Sequence, residues 1–172
     1  MLRPLFTLLL LVCLKCLAAN DSLRVYVIVA EECPISIAMA APLREVLSRY
    51  PQLRYTAVFP NLKSDAMTAR IFLGRYELES FHPELDPQQV LTRRLGATVT
   101  PEVVVTDAGD RVLYRGRISD AYSAPGRVRH GKTRNELLSA LDRLSAGQPV
   151  PTPWPAAVGC FITFLPAESQ PE

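Results

Sequence analysis

The chain has 172 residues, 48% of them apolar, a formal net charge of +2 and four cysteines. The apolar content is ample for one packed domain. A near-neutral charge without a basic stripe excludes an electrostatic basis for nucleic-acid binding.

The first segment reads MLRPLFTLLLLVCLKCLAAN. Arg3 supplies a positive start, residues 5–14 a short apolar run, and Ala18-Ala19 a small-residue exit. This is the pattern of a secretory signal peptide over residues 1–19, cleaved near Ala19 or Asn20. The run is too short for a comfortable membrane span and Lys15 interrupts it, so an uncleaved N-terminal anchor is the lesser alternative. Cleavage removes Arg3 and Lys15 and brings the charge from +2 to zero. It also removes Cys13 and Cys16, whose C-x-x-C spacing is that of a redox motif but which sit in the apolar leader. Val12 and Lys15 precede them, where a lipoprotein signal needs a small residue. The mature chain keeps Cys33 and Cys160, and in an oxidising compartment an even pair is a candidate disulfide.

Residues 23–30 are β-branched and apolar, as in a buried central strand. Residues 34–50 carry Ile35, Ala38, Met39, Leu43, Val46 and Leu47 at helical spacing. Pro34 suits the first turn of that helix, and Pro42 inside it predicts a kink. Residues 53–59 alternate as a second strand. Residues 65–79 read as a helix with Met67, Ile71 and Tyr76 on one side. Asp86-Pro87-Gln88-Gln89 reads as a cap opening a short helix that stops at Gly96. Residues 103–106 and 112–118 form a hairpin about the turn at 107–110. Thr133-Arg134-Asn135-Glu136 reads as a capping box, opening a last helix through Leu137, Leu141 and Leu144 that Gly147 ends. Residues 148–172 form a proline-rich, extended tail carrying Cys160. The expected organisation is a leader at 1–19, an α/β domain at 20–147 and this tail. Its sheet is mixed, with parallel strands first, a hairpin second, and helices on both faces.

The stretches ECPIS after the first strand, RLGATVTPEVVV, DRVLYRGRISDAY and LLSALDRLSAGQPVPTPWPAAVGCFI resemble a group of exported bacterial redoxin-like proteins. These are relatives of the peroxiredoxin (AhpC/TSA) and thioredoxin superfamily that combine C-P-I-S/A with a late G-C-x-I. The resemblance spans residues 23–162 and implies a thioredoxin-like fold. It also implies that Thr100-Pro101 is a cis-proline loop facing the active cysteine, holding an incoming chain by backbone contacts. One departure is local: thioredoxins place a helix proline eight residues after the first active-site cysteine, whereas Pro42 is nine after Cys33.

The chemistry centres on Cys33. The thiolate is the reactive form of cysteine, and a position at a helix start after a buried strand favours it. Glu31 and Glu32 oppose that effect if they point at the sulfur. The plain alternative is a small buried hydrophobe. Ser36 stands where a dithiol oxidoreductase has its second cysteine, and it cannot resolve a mixed disulfide. Three roles stay open for Cys160: a resolving cysteine on a mobile arm, a fixed staple to Cys33, or a thiol that pairs with another protein. Pro34, Ser36, Thr100 and Pro101 are the expected substrate-binding residues. Arg115, Arg117, Asp120 and Tyr122 in YRGRISDAY are further candidates to line the cleft, with Arg117 and Asp120 the expected substrate contacts, against the alternative of a charged strand end.

The reading is an exported, periplasmic or extracellular, monomeric thiol–disulfide oxidoreductase with Cys33 and Cys160 as catalytic residues, Cys33 as nucleophile and Cys160 or an external thiol resolving. Its expected partners are protein thiols or disulfides, or small thiols, and it needs no cofactor. One rival is a weak peroxidase, but Ala30 and Tyr26 stand where peroxiredoxins carry a hydroxyl and a proline. The other is a non-catalytic binding or copper-carrier module using Cys33, Met39, His82 and His130. Ile37 fills the second cysteine position of known copper carriers, and both histidines fall in polar loops, so no metal site is assigned.

Overall fold

The computed structural model describes residues 23–166. The leader, its cleavage point, Cys13 and Cys16 lie outside the described residues. A five-stranded sheet in the order β3 (His82–Leu85), β2 (Arg54–Phe59), β1 (Arg24–Ile28), β5 (Glu102–Thr106), β6 (Val112–Gly116) forms the centre. β1 is its middle strand, parallel to β2 and antiparallel to β5. β3 continues the parallel half, and β6 closes the hairpin with β5. The sheet is therefore mixed, as the element order implies.

Both faces are covered. On one, Val25, Val27, Tyr55, Ala57, Phe59, Val103 and Val105 pack under α2 (Ala40–Arg49), α3 (Ala66–Arg75) and α5 (Glu136–Ser145). On the other, Ile28, Val58 and Val104 meet Leu91 and Leu95 of α4 (Val90–Leu95), together with Ile162 from the C-terminal segment. Strands buried on both faces lose polar alternation, which is why Val103, Val104 and Val105 of β5 and Val25 to Ile28 of β1 run without a charged residue.

Several local expectations shift. The helix at 34–50 is two helices, α1 (Pro34–Ala38) and α2, meeting at Met39. Pro42 has no N–H to give Ala38, and its ring crowds that carbonyl, so the helix breaks one residue after Ala38 rather than merely bending. α3 buries Ala69, Phe72 and Leu73 and leaves Met67 and Ile71 exposed, so its inward face is not the one the Met67–Ile71 spacing suggests. Asp65 caps it by accepting from the Met67 and Thr68 amides, both at 2.8 Å. The N-cap of α4 is Gln89 and not Asp86, since the helix begins only at Val90, although Asp86 still accepts from the Thr92 amide at 2.7 Å. The cap of α5 is Asn135, which accepts from the Leu138 amide at 3.1 Å, and not Thr133. Asn135 also donates to the Pro42 carbonyl at 2.8 Å, joining α5 to α2.

The C-terminal segment packs along the domain. Trp154 meets Tyr114 with ring centroids 6.1 Å apart, and the Arg117 amide donates to the Pro155 carbonyl at 3.2 Å. β9 (Cys160–Phe161) then pairs antiparallel with β4 (Val99–Thr100). Beyond it, Gln89 donates to the Thr163 carbonyl at 2.9 Å and accepts from the Leu165 amide at 2.8 Å. Arg93 lies 4.6 Å over the Phe164 ring. β7 (Tyr122–Ala124) and β8 (Arg127–Val128) form a small separate ribbon. Among the described residues no helix is long and apolar enough to cross a membrane.

Candidate functional site

The site lies past the carboxyl end of β1, where open α/β sheets place their ligands. After the strand, the Cys33 amide donates to the Ala30 carbonyl at 3.1 Å, closing a tight turn through Glu31 and Glu32. Cys33 is the N-cap residue of α1 and Pro34 its first residue, with no amide to leave unpaired. Ser36 is buried, and its hydroxyl accepts from the Ala30 amide at 3.3 Å. That contact braces the turn that presents Cys33, and Ser36 is not among the residues lining the cleft. Glu31 is drawn to the start of α3, accepting from the Ser64 hydroxyl at 2.8 Å and the Thr68 hydroxyl at 3.1 Å.

The Thr100–Pro101 bond is cis, as the resemblance implies. The Cys33 thiol donates to the Thr100 carbonyl at 3.1 Å. On the other edge of β4, Cys160 sits opposite Thr100 in the ladder. This brings Cys160 Sγ to 2.7 Å from Cys33 Sγ across 127 positions of sequence. Both cysteines are free thiols. Beside them is a cleft of about 230 Å³ that includes Glu32, Asn61, Thr100 and Phe161 in its lining. Ala30, Ile35, Tyr122 and Val158 complete the apolar packing around Cys33.

The two thiols titrate in opposite directions. Burial pushes Cys33 up, but hydrogen bonds from Cys160 and from the Ser36, Cys160 and Ile35 amides outweigh it and hold Cys33 below its ordinary value. Cys160 is pushed up to about 11, by burial first and then by its hydrogen bond and charge repulsion with Cys33. The arrangement therefore favours one thiolate on Cys33, with the proton kept on Cys160.

The other sequence candidates fall elsewhere. Arg117 makes a two-pronged contact to Glu136, at 2.7 and 2.9 Å, on the α5 side of the sheet. Asp120 is buried and accepts from the Arg134 amide at 2.6 Å, with Arg129 Nη1 3.2 Å away. Neither is among the residues lining the cysteine cleft. Their contacts tie the loop after β6 to the start of α5, which is the charged-strand-end alternative. His82 opens the exposed edge strand β3 and His130 is exposed, whereas Met39 is buried at the α1–α2 junction. Among the described residues no group of three histidine, cysteine or acidic side chains gathers as a metal site. Of the residues in YRGRISDAY, Tyr122 does pack against the Cys33 cluster, whereas sequence reasoning missed Asn61, Phe161 and the packing role of Val158. Only Phe161 carried a signal, as the neighbour of Cys160.

No family model matches the chain, and no curated protein is similar to it. Solved structures are. A hypothetical protein from Sinorhizobium meliloti is 20% identical, with a TM-score of 0.73 over 87% of this chain and 84% of that one. An uncharacterized conserved protein from Geobacillus kaustophilus is 19% identical, with a TM-score of 0.69 over 86% and 80%. A secreted disulfide oxidoreductase from Mycobacterium tuberculosis is 17% identical, with a TM-score of 0.53 over 73% and 84%. Taken with the mixed sheet and the cysteine at the end of its middle strand, these likenesses show that the chain has a thioredoxin-like fold.

Proposed function

We propose that the protein is a thiol–disulfide oxidoreductase in which Cys33 is the nucleophile and Cys160 the resolving thiol. The observation that carries this is the 2.7 Å approach of the two sulfurs, with one thiol depressed and the other raised. The Cys33 thiolate attacks one sulfur of a partner disulfide. The partner's other sulfur leaves as a thiolate and takes a proton from water. Cys160 then attacks Cys33 Sγ, its proton passing to the second departing partner sulfur. The partner gains two electrons as two thiols, and the protein ends with one Cys33–Cys160 disulfide. The same steps run backwards oxidise a partner dithiol. A Cys33–Cys160 bond would also staple the tail, so staple and resolving role are two states of one pair.

The leader-like residues 1–19 support an exported protein, and a pair of cysteines that closes suits an oxidising compartment. The Mycobacterium tuberculosis structure is described as that of a secreted protein. The unit proposed to act is the domain with its tail, since residues 148–166 pack on it and supply Cys160.

The test is reduction of a protein disulfide such as insulin's, followed for the wild type, Cys33→Ser and Cys160→Ser. The expected result is one partner disulfide reduced per molecule of pre-reduced wild type, none by Cys33→Ser, and a single arrested mixed disulfide on Cys160→Ser. Reduction by Cys33→Ser at the wild-type rate would end the proposal.

A further inference from the structure

The cleft beside Cys33 is the route to its sulfur that requires no part of the fold to move. Cys33 is only 3% exposed, with the Thr100 carbonyl at 3.1 Å and Cys160 Sγ at 2.7 Å. The edge of β4 beside it is taken by β9, with Cys160 opposite Thr100 and Phe161 opposite Val99. No row of unpaired backbone groups is offered there to a second chain. What stays open is the cleft of about 230 Å³, whose lining includes both cysteines. That volume lies below the range of sites for drug-sized ligands, so it suits a small molecule and not a protein segment.

The lining selects by charge. Apart from the two cysteines, Glu32 is the one ionisable side chain among the described residues that line it, and it is exposed at the rim. Glu31, held by the Ser64 and Thr68 hydroxyls, adds a second carboxylate to the same turn. No lysine or arginine is among the described lining residues, and Lys63, two positions beyond Asn61, is exposed outside the lining. Phe161, which also lines the cleft, is 86% exposed, and an open aromatic face attracts a cation. Glu32 comes from the turn after β1 and Phe161 from the tail, so two separate elements bring the same preference to the two sulfurs. A positively charged group gains from both, and a carboxylate is repelled by Glu32.

We propose that the substrate of this cleft is a small disulfide bearing ammonium groups, of which cystamine is a simple example. This rests on the exchange reading above and names the substrate class of the same two cysteines. The Cys33 thiolate attacks one sulfur of the small disulfide, and the other half leaves as a thiolate that takes a proton from water. Cys160 then attacks Cys33 Sγ, and its proton passes to the second departing half. The substrate's S–S bond is broken by two electrons, and the protein, losing them, closes the Cys33–Cys160 bond. Cys160 already stands 2.7 Å from Cys33 Sγ, so neither step lifts β9.

The test mixes the pre-reduced protein with cystamine, hydroxyethyl disulfide or dithiodipropionate, which have similar short arms ending in ammonium, hydroxyl and carboxylate. Samples are quenched with acid, and mass spectrometry follows the loss of reduced protein. Each rate is divided by that of mercaptoethanol with the same disulfide. Cystamine should run about fivefold ahead of hydroxyethyl disulfide and dithiodipropionate about fivefold behind it, the factor that one charge pair about 4 Å apart gives in water. Glu32→Gln should shrink the ratio of cystamine to dithiodipropionate several-fold. Insulin, treated in the same way, should trail hydroxyethyl disulfide. Equal normalised rates, dithiodipropionate ahead, a ratio unmoved in Glu32→Gln, or insulin ahead of the small disulfides would each overturn the inference while leaving the exchange reading intact. If no disulfide reacts faster than it does with Cys33→Ser, both fall together.

Discussion

Closing the Cys33–Cys160 bond should stabilise the fold strongly, because it ties together parts of the chain that are remote in sequence. The two cysteines are 127 positions apart. In the chain-entropy treatment, a loop of that length removes roughly 16 cal/mol/K from the unfolded ensemble, about 5 kcal/mol at 25 °C. For a domain of this size, each kcal/mol moves Tm by about 2–4 °C, so oxidation should raise Tm by about 10–20 °C. The favoured Cys33 thiolate stabilises the reduced fold and offsets part of this, so the shift belongs in the lower half of that range at neutral pH. The assay is thermal unfolding by circular dichroism of the oxidised protein, the reduced protein and the Cys33→Ser/Cys160→Ser double variant. The reduced protein and the double variant should melt close together, with the oxidised protein well above both. An oxidised protein that melts at or below the reduced one would refute the reasoning. It would mean that these two cysteines do not close the loop, or that closing it distorts the fold as much as the loop stabilises it.

Thiolate absorbance at 240 nm, taken as the reduced wild type minus the double variant, should rise in two steps, one below the ordinary cysteine range and one near pH 11; a single step at the ordinary value would contradict the paired site. The linkage signs follow: the depressed Cys33 supplies stability that is lost as pH falls through its folded value, and the raised Cys160 supplies stability that is lost as pH rises through about 11. Arg117→Ala should cost about 1.5–3 kcal/mol in urea unfolding, through loss of the charge-assisted contact to Glu136, and leave disulfide-exchange rates at the wild-type level; slowed exchange at unchanged stability would place Arg117 in the site instead. At Gly116 φ is +153°, and a Cβ would lie 3.2 Å from the Pro155 carbonyl carbon and run into its oxygen. Gly116→Ala should therefore push the tail outward and shift the protein–glutathione redox equilibrium about tenfold toward the dithiol; an unmoved equilibrium would show that the path of the tail does not position Cys160.

The parts of the fold legible in the sequence are those with a period. β1, β2 and the β5–β6 hairpin carry β-branched runs between turn residues, and α5 carries leucines at helical spacing closed by Gly147. What escaped is short or non-local. β3 is four residues at an exposed edge, with Pro83 inside it, and has no apolar alternation to read. β4 and β9 are two residues each, too short for any pattern, and they exist because the tail returns to the sheet. The inward face of α3 was hidden because Met67 and Ile71 are as apolar as Phe72 and Leu73, so composition alone cannot choose between them. At the site, the turn and Cys33 could be placed from local order, and the proline loop from the resemblance. The position of Cys160 could not, since it depends on contacts from Trp154 to Tyr114, Pro155 to Arg117, and Leu165 to Gln89. Each of these joins residues remote in sequence, which left three roles for Cys160 open.

The most direct measurement is a rapid-quench experiment in which the reduced protein meets glutathione disulfide and is trapped with acid at successive times. Mass spectrometry of the digest then locates each bond. The account predicts a glutathione adduct on Cys33 first, decaying into a Cys33–Cys160 bond at the rate at which the adduct is lost. An adduct that appears first on Cys160, or one on Cys33 that persists while Cys160 stays reduced, would contradict it.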